Sequence, residues 1–298
     1  MAREKATDQL TQVLTRLDRV LDIAERVLAA QHGGPDDAVL DSAAAFIWQR
    51  RNGMGLFRPV RHIDPIRLAD LKGINWAITT LVRNTRQFLN GAPANHALLW
   101  GERGTGKSSA VKALLNEFYP DGLRLVQLHR HDLLDLPEIM ERLWDRQEKY
   151  ILFCDDLAFE ADDAEYKELK ALLEGGLHER PKNMLIYATS NRRHLMPTRM
   201  SDSIAHAMAS ENDEAHPGDT LEEQLSLVDR FGLRLGFYHI DQETYLEIVQ
   251  NMVSARGISY DPDKLEHEAL RWTLSHSSRS GRSARQFVDD LEGRLSLK

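Results

Sequence analysis

Short apolar runs separated by amphipathic stretches fill the chain between about residue 70 and residue 240. The amphipathic stretches have the apolar spacing of helices and lie at residues 74–88, 109–119, 137–147 and 164–177. The apolar runs have the length of strands and lie at residues 96–100, 123–129, 150–154, 184–189 and 233–240. Strands that are apolar throughout must be covered on both faces. Their alternation with helices therefore predicts a parallel sheet between two helical layers.

The first 68 residues follow a different pattern, which predicts an N-terminal helical extension. Five leucines and Ala24, at alternating spacings of four and three, predict one helix over residues 6–30. Such a seam fits either docking on the rest of the chain or a dimerisation arm. Residues 36–51 predict a second helix, with Phe46, Ile47 and Trp48 on its buried side. An extended connector follows.

Helical periodicity returns after the last strand, at residues 242–256, 261–275 and 283–295. These three stretches predict a C-terminal helical lid, residues 241–298, on an α/β core formed by residues 69–240. Within the core, residues 199–223 are rich in Asp and Glu and include the sequence His-Pro-Gly. We therefore expect a mostly polar insertion at that point.

Composition limits the class of protein. The 298 residues suffice for about two domains, and 42% hydrophobic and 28% charged residues are ordinary for a soluble globular protein. No apolar run has the length of a membrane span, and the first residues lead into no signal-peptide core. The single cysteine, Cys154, suits a reducing compartment, so we expect a cytoplasmic protein with no membrane partner. The net charge of −8 disfavours nucleic acid as a partner unless a local basic patch is present.

Residues 101–108 carry the strongest chemical signal in the chain. They read Gly-Glu-Arg-Gly-Thr-Gly-Lys-Ser and match the phosphate-binding pattern G-x-x-x-x-G-K-[ST] at every position. A predicted strand precedes them and a predicted helix follows, so backbone N–H groups and the helix dipole converge on one anion site. We expect Lys107 to reach the outer phosphates of a nucleoside triphosphate and the Ser108 hydroxyl to hold Mg²⁺. The alternative is a plain glycine turn before a helix.

Two acidic residues, Asp155 and Asp156, directly follow the predicted strand at residues 150–154. A carboxylate at the C-terminal end of a strand, beside a phosphate loop, faces the metal ion. We expect Asp155 to hold Mg²⁺ through water and Asp156 to polarise the attacking water. The alternative is that these residues cap a helix. Aspartate is shorter than the usual glutamate, so either hydrolysis is slow or Glu160 shares the task.

Polar and basic residues elsewhere complete the predicted site. Asn191 follows the strand at residues 184–189, and we expect it to orient the water beside the γ-phosphate. Arg230 precedes the last strand, where an arginine either stabilises the triphosphate of a neighbouring subunit or forms an ion pair within its own. Arg282 begins the final helix and is the expected lid contact to the phosphates, with Arg285 as the second choice.

These elements, in this order, resemble those of the AAA+ ATPases. Within that resemblance the Walker A motif is residues 101–108, Walker B is residues 151–156, sensor 1 is Asn191, the arginine finger is Arg230 and sensor 2 is Arg282. Residues 153–157, 187–195 and 225–233 look like a bacterial AAA+ family known mainly as a domain of unknown function. That similarity runs from about residue 40 to the end. The second acid of Walker B is aspartate in that family, as it is at Asp156.

The resemblance implies Mg²⁺-dependent binding and hydrolysis of ATP, and it places residues 70–74 against the adenine. The predicted nucleotide contacts are Leu71, Ile74, Gly101, Glu102, Arg103, Gly104, Thr105, Gly106, Lys107, Ser108 and Ser109. The predicted metal ligands are Ser108 and Asp155, and the predicted catalytic residues are Asp156, Asn191, Arg230 and Arg282. The implied fold is a P-loop NTPase parallel sheet, the AAA+ core, with a C-terminal helical lid and an N-terminal helical extension.

We expect an ATPase that assembles into a homo-oligomeric ring or arc, in which Arg230 acts across subunits and hydrolysis remodels an unknown protein partner. Two alternatives stay open. One is a nucleotide-dependent loader or switch acting on nucleic-acid machinery, and the other is an ATP-binding scaffold with little turnover. Polypeptide threading is disfavoured, because residues 129–135 hold no aromatic side chain where threading machines place one. His129 and His131 suggest a metal site, but the sequence offers them no further positioned ligand.

Overall fold

The structure is a computed structural model that describes residues 36–158, 163–174, 181–191, 227–276 and 279–297. Three features of the sequence lie outside these described residues. They are the N-terminal helix predicted over residues 6–30, the acidic insertion at residues 199–223, and Glu160. The phosphate-binding motif and the predicted catalytic and metal-binding residues lie inside them.

The described residues form one sheet of seven strands. The strands are β1 (Ala45–Arg51), β2 (Met54–Pro59), β3 (Ala97–Gly101), β4 (Leu123–Leu128), β5 (Lys149–Cys154), β6 (Met184–Ser190) and β7 (Leu233–Phe237). Their order across the sheet is β2-β1-β4-β5-β6-β3-β7, and every neighbouring pair is parallel except the β1–β2 hairpin. The predicted α/β fold with a parallel P-loop sheet is confirmed.

Helices cover the sheet and continue beyond it. They are α1 (Asp36–Leu40), α2 (Asn75–Leu89), α3 (Lys107–Phe118), α4 (Leu136–Leu143), α5 (Ala164–Glu174), α6 (Gln242–Ala255), α7 (Pro262–His276) and α8 (Gly281–Ser296). Short 3₁₀ turns lie at Leu68–Asp70 and Arg130–Asp135. In these ranges no helix is both long and apolar enough to cross a bilayer.

Each central strand is buried on both faces, which explains why the apolar runs show no polar alternation. Along β3, Leu98 belongs to the core on one face and Leu99 to the core on the other. Along β5, Leu152 and Phe153 divide in the same way. The helices α2 and α3 cover one face, while α4 and α5 cover the other. The carboxyl ends of β3, β5 and β6 therefore meet at one edge of a fully covered sheet.

The helix predicted over residues 36–51 is wrong. Only Asp36–Leu40 is helical, and the chain then forms the β1–β2 hairpin. The turn between the strands is Asn52-Gly53, with φ angles of 52° and 81°, and Asn-Gly is the strongest local signal for a hairpin. Burial alternates along β2, as a strand packed on one face requires, and in β1 the buried Phe46 and Trp48 flank the half-buried Ile47. Phe46 and Trp48 therefore lie on one side of an extended strand and not on a helix face.

The hairpin joins the core sheet through β1, which pairs in parallel with β4. Trp48 is fully buried, and its indole N–H donates to Asp135 Oδ2 at 2.9 Å. Its ring covers Gly55, where a methyl group would lie 2.0 Å from the indole Cζ2. Part of the segment predicted as a separate extension is thus built into the sheet.

The three C-terminal helices form the predicted lid around their own apolar core, which includes Tyr245, Val249, Ala269 and Phe287. The described contacts between the lid and the core domain include one backbone hydrogen bond and two ion pairs. The Gly281 N–H donates to the Gly104 carbonyl at 3.1 Å, Lys72 pairs with Glu247 at 3.1 Å, and Arg285 pairs with Asp64 at 3.3 Å. The lid therefore lies directly on the phosphate-binding motif.

Packing of Trp48 on Gly55 yields a stability prediction. We expect Gly55→Ala to lower the free energy of unfolding by about 1–3 kcal/mol, because the added methyl overpacks a buried ring. The matched control is Gly293→Ala in α8, where a methyl meets nothing within 4 Å and should stabilise the helix slightly. Denaturant unfolding followed by circular dichroism measures both. A Gly55→Ala protein as stable as the parent would contradict the described hairpin packing.

Candidate active site

The phosphate-binding motif forms a tight turn between β3 and α3, and neighbouring chain segments dictate its glycines. Gly101 has φ 141°, and a methyl group there would lie 1.9 Å from the Phe237 carbonyl oxygen on β7. Gly104 has φ 81°, and a methyl group there would lie 2.8 Å from Ser280 Oγ at the start of the lid helix α8. The loop is therefore pressed between the edge of the sheet and the lid, with room only for backbone.

Lys107 is the first residue of α3 and is 6% exposed. Its ammonium donates to the carbonyls of Gly101 and Glu102, both at 2.7 Å, and to Asn191 Oδ1 at 3.1 Å. Burial lowers the pKa of Lys107, against the opposing effect of the nearby Asp156 and Asp155 carboxylates. The Lys107 ammonium is thus a poorly solvated positive charge within the phosphate-binding loop.

Ser108 and Asp155 lie next to each other, although they are 47 residues apart in the sequence. The Ser108 hydroxyl donates to Asp155 Oδ1 at 2.6 Å. The Thr189 hydroxyl donates to the same carboxylate oxygen, also at 2.6 Å. A hydroxyl and a carboxylate in contact are oxygen ligands of the kind that Mg²⁺ takes beside nucleotide phosphates. The donor set therefore fits the predicted metal.

Asp156 has an uncommon backbone conformation for a residue with a side chain, with φ 55°. Its N–H donates to Thr189 Oγ1 at 2.9 Å, and its carboxylate accepts a hydrogen bond from Asn191 Nδ2. Arg103 lies 3.8 Å from the same carboxylate. The next described helix begins only at Ala164, so neither aspartate caps a helix as the alternative interpretation required.

Asn191 connects the two halves of the site. Its amide nitrogen contacts Asp156, and its amide oxygen accepts from Lys107. The sheet order explains this position, because β6 lies between β5 and β3. Asn191, at the end of β6, therefore stands between the acidic pair that follows β5 and the loop that follows β3.

A cavity of about 1080 Å³ opens between the core domain and the lid. Its walls include most of the predicted site, namely Leu71, Ile74, Arg103, Gly104, Thr105, Gly106, Lys107, Ser108, Ser109, Asp155, Asp156, Asn191 and Arg282. Gly101 and Glu102 lie behind this wall, where their carbonyls accept from Lys107. The Glu102 carboxylate points elsewhere and pairs with His239 at 2.6 Å.

One part of the cavity is apolar. Leu71 and Ile74 are nearly buried and approach the phosphate-binding loop, with Ile74 Cδ1 lying 3.3 Å from the position of a methyl group on Gly106. The lid adds Ile248 and Met252 from α6 to the cavity wall. Sequence reasoning missed these lid residues, since their helical spacing predicts only burial against other lid helices.

The two candidate lid arginines have different surroundings. Arg282 lines the cavity beside the loop, and its positive charge contributes to lowering the pKa of Lys107. Among the described residues, Arg282 has no carboxylate partner. Arg285 also lines the cavity but pairs with Asp64. The geometry therefore favours Arg282 as the lid residue that faces the phosphate-binding loop.

Arg230 lies away from the cavity of its own chain. It precedes β7, whose first residue, Leu233, pairs with Ala97 at the start of β3. The phosphate-binding motif begins at the opposite end of β3, level with Phe237. Arg230 therefore lies near the amino-terminal ends of these strands, and Lys107 lies near their carboxyl ends.

The histidines after β4 belong to a different surface. His131 pairs with Glu165 of α5 at 3.0 Å. The backbone N–H of His129 donates to the Asp132 carboxylate at 2.7 Å. In the part of the chain that the structure describes, no three His, Cys, Asp or Glu side chains gather as a metal-binding cluster.

A family model described as "Protein of unknown function (DUF815)" matches residues 41–295. No curated protein matches the chain. Solved structures similar to it include the RuvB Holliday junction branch migration motor of Thermotoga maritima, at 13% identity and a TM-score of 0.46, covering 77% of this chain and 73% of that one. A single-substitution variant of that motor has 12% identity and a TM-score of 0.47, covering 78% and 74%. Likenesses this distant carry no inference about activity or partners.

Contact between the lid and Gly104 yields a second prediction. Ser280 Oγ cannot easily move away from an added methyl, because it accepts from the Ser283 N–H and caps α8. We therefore expect Gly104→Ala to separate the lid from the loop and to speed exchange of the Gly281 amide about tenfold or more. Hydrogen exchange detected by NMR measures this.

The control is Gly91→Ala, since Gly91 also has a positive φ, 72°, but a methyl there meets nothing within 4 Å. It shares the backbone strain and lacks the lid contact. Equal exchange at Gly281 in the two variants would refute direct docking of the lid on the loop.

Proposed function

The chain belongs to the DUF815 family, and we propose that it is an AAA+ ATPase that binds ATP with Mg²⁺ and hydrolyses it to ADP and phosphate. One observation carries the proposal. Asn191 joins Lys107 of the glycine-rich loop to Asp156 of the acidic pair, in the wall of a cavity that lies between the core domain and the lid. This contact supports the proposal, because phosphoryl transfer to water needs a group that binds the phosphates next to a group that activates the water.

The residues present fit both the triphosphate and the metal. Backbone N–H groups at the start of α3, the Lys107 ammonium and Arg282 supply positive potential for the phosphates. The Ser108 hydroxyl and the Asp155 carboxylate are the oxygen ligands for Mg²⁺, which neutralises charge on the phosphates when bound. Leu71 and Ile74 provide an apolar surface for the base. The cavity volume of about 1080 Å³ accommodates a nucleotide.

Hydrolysis then assigns each polar side chain a task. Lys107 exchanges its bonds to the Gly101 and Glu102 carbonyls for the outer phosphate oxygens, which restores a favourable environment for its charge. Asn191, released from Lys107, orients the attacking water through its amide. The Asp156 carboxylate accepts the proton of that water as it attacks the γ-phosphorus, and ADP leaves.

Assembly completes the proposed site. Arg230 lies near the amino-terminal ends of the strands and Lys107 near their carboxyl ends, so Arg230 would reach a γ-phosphate only in another copy of the chain. We propose a homo-oligomeric ring or arc in which each Arg230 stabilises charge in the neighbouring site. Changes in lid position during the cycle would then remodel a bound protein partner.

Substitutions at Lys107 and Asp156 separate binding from turnover. We expect Lys107→Ala to abolish binding of Mg-ATP, and Asp156→Asn to retain binding while losing about 10²- to 10⁴-fold in turnover, the usual contribution of a general base. Calorimetry and phosphate release measure the two quantities. The control is Lys264→Ala, an exposed lysine on α7 outside the cavity, which should match the parent. Equal, near-zero turnover in all four proteins, with ATP still bound by the parent, would leave only the scaffold alternative.

The role of Arg230 across subunits predicts complementation. Arg230→Ala should bind ATP with near-parental affinity but lose about 10³-fold or more in turnover, the usual contribution of an arginine finger. Mixing Arg230→Ala with Lys107→Ala should restore some activity, because one of the two kinds of mixed interface joins the intact loop of Arg230→Ala to the intact arginine of Lys107→Ala. Full activity of Arg230→Ala alone, or no rescue on mixing, would remove the intersubunit role.

A further inference from the structure

Thr189 lies between the two acidic residues of the site and contacts both. It is the second-last residue of β6 and is 1% exposed. The Asp156 N–H donates to Thr189 Oγ1 at 2.9 Å, and Oγ1 lies 2.6 Å from Asp155 Oδ1. A hydroxyl has one proton, and the carboxylate can only accept. The proton of Thr189 is therefore directed at Asp155, while its lone pair receives the amide of Asp156.

The backbone around Thr189 adds to this arrangement. The Leu157 N–H donates to the Thr189 carbonyl at 2.7 Å, and the Ser190 hydroxyl donates to the Leu157 carbonyl at 2.8 Å. These bonds join the end of β6 to the turn after β5. That turn contains Asp156 in the left-handed region, a conformation that persists only where surrounding contacts over-determine it.

We propose that Thr189 is a positioning residue whose hydroxyl sets the orientation of both Walker B aspartates, and this rests on the proposed ATPase function. Its O–H holds Asp155 Oδ1 from the side of β6, while the Ser108 hydroxyl contacts the same oxygen from α3, and together they orient the carboxylate that would bind the metal. Its acceptor lone pair holds the Asp156 amide and thereby the left-handed turn that presents the Asp156 carboxylate to Asn191. Groups that orient metal-binding carboxylates typically contribute 10- to 100-fold in metal affinity or activity.

The decisive variant is Thr189→Val, which keeps the shape of the side chain and removes the hydroxyl. We expect its turnover of Mg-ATP to fall about 10- to 100-fold, with ATP affinity in the presence of EDTA unchanged. Thr189→Ser retains the hydroxyl and should recover most of the turnover. Thr189→Ala is a second variant without the hydroxyl and should behave like Thr189→Val.

The matched control is Thr85→Val. Thr85 is also fully buried, and its hydroxyl contacts the Leu81 carbonyl and the Tyr187 hydroxyl, both at 2.9 Å, away from the acidic pair. The Thr85→Val variant loses a buried hydroxyl that contacts β6, as Thr189→Val does, but Thr85 contacts neither aspartate. Equal turnover in Thr85→Val and Thr189→Val, or no recovery with Thr189→Ser, would overturn the positioning role.

A second readout needs no nucleotide. In the ligand-free protein, Thr189→Val should speed hydrogen exchange of the Asp156 amide about tenfold or more, because that amide loses its acceptor. Thr85→Val should leave this exchange at the parental rate. A parent protein without turnover would refute the proposed ATPase but not the positioning role. Unchanged exchange of the Asp156 amide in Thr189→Val would refute the positioning role by itself.

Discussion

The buried ammonium of Lys107 is the constraint on which the site depends. A charge this poorly solvated must find oxygen atoms, and here it finds two backbone carbonyls of its own loop and the amide oxygen of Asn191. Both carbonyls belong to the phosphate-binding loop, in which Gly101 and Gly104 leave no room for a side chain. Burial of Lys107, the glycines and the end of β6 therefore form one arrangement. A change at any of them alters where the positive charge lies.

The acidic half of the site depends on strand order. Asp155 and Asp156 follow β5, which is not a neighbour of β3, so the gap between them and the loop is filled by the end of β6. Thr189, near the end of β6, contacts Asp155, and Asn191, directly after β6, contacts Lys107. The left-handed conformation of Asp156 is the cost of turning the chain sharply at this edge. Aspartate tolerates that region better than most residues with side chains, and glutamate lacks this tolerance. The local backbone thus offers a physical reason for the shorter acid in this position.

Sequence reasoning succeeded where the signal is local. The five core strands and the strand–loop–helix context of Lys107 are each encoded within a few consecutive residues, and the structure contains them. It failed at residues 45–51, where it predicts a helix with Phe46, Ile47 and Trp48 on its buried side, although Asn52-Gly53 indicates a hairpin. It missed Thr189 because its importance comes from a partner on another strand, which no local pattern reveals. The sequence also could not decide whether Arg282 or Arg285 faces the phosphate-binding loop, because the choice depends on the ion pair between Arg285 and Asp64.

The lid is held by contacts of unequal kind, and this bears on how the protein can work. The ion pairs Lys72–Glu247 and Arg285–Asp64 are partly exposed, so each contributes only about 0–1 kcal/mol. The contact of Gly281 and Ser280 with Gly104 is instead made to the phosphate-binding loop itself. Thr244 of the lid also approaches Gly73 of the core domain closely, so that a methyl group on Gly73 would lie 2.8 Å from Thr244 Cγ2. The phosphate-binding loop and the lid meet directly at Gly104, so coupling between a ligand on the loop and the lid would require no long pathway.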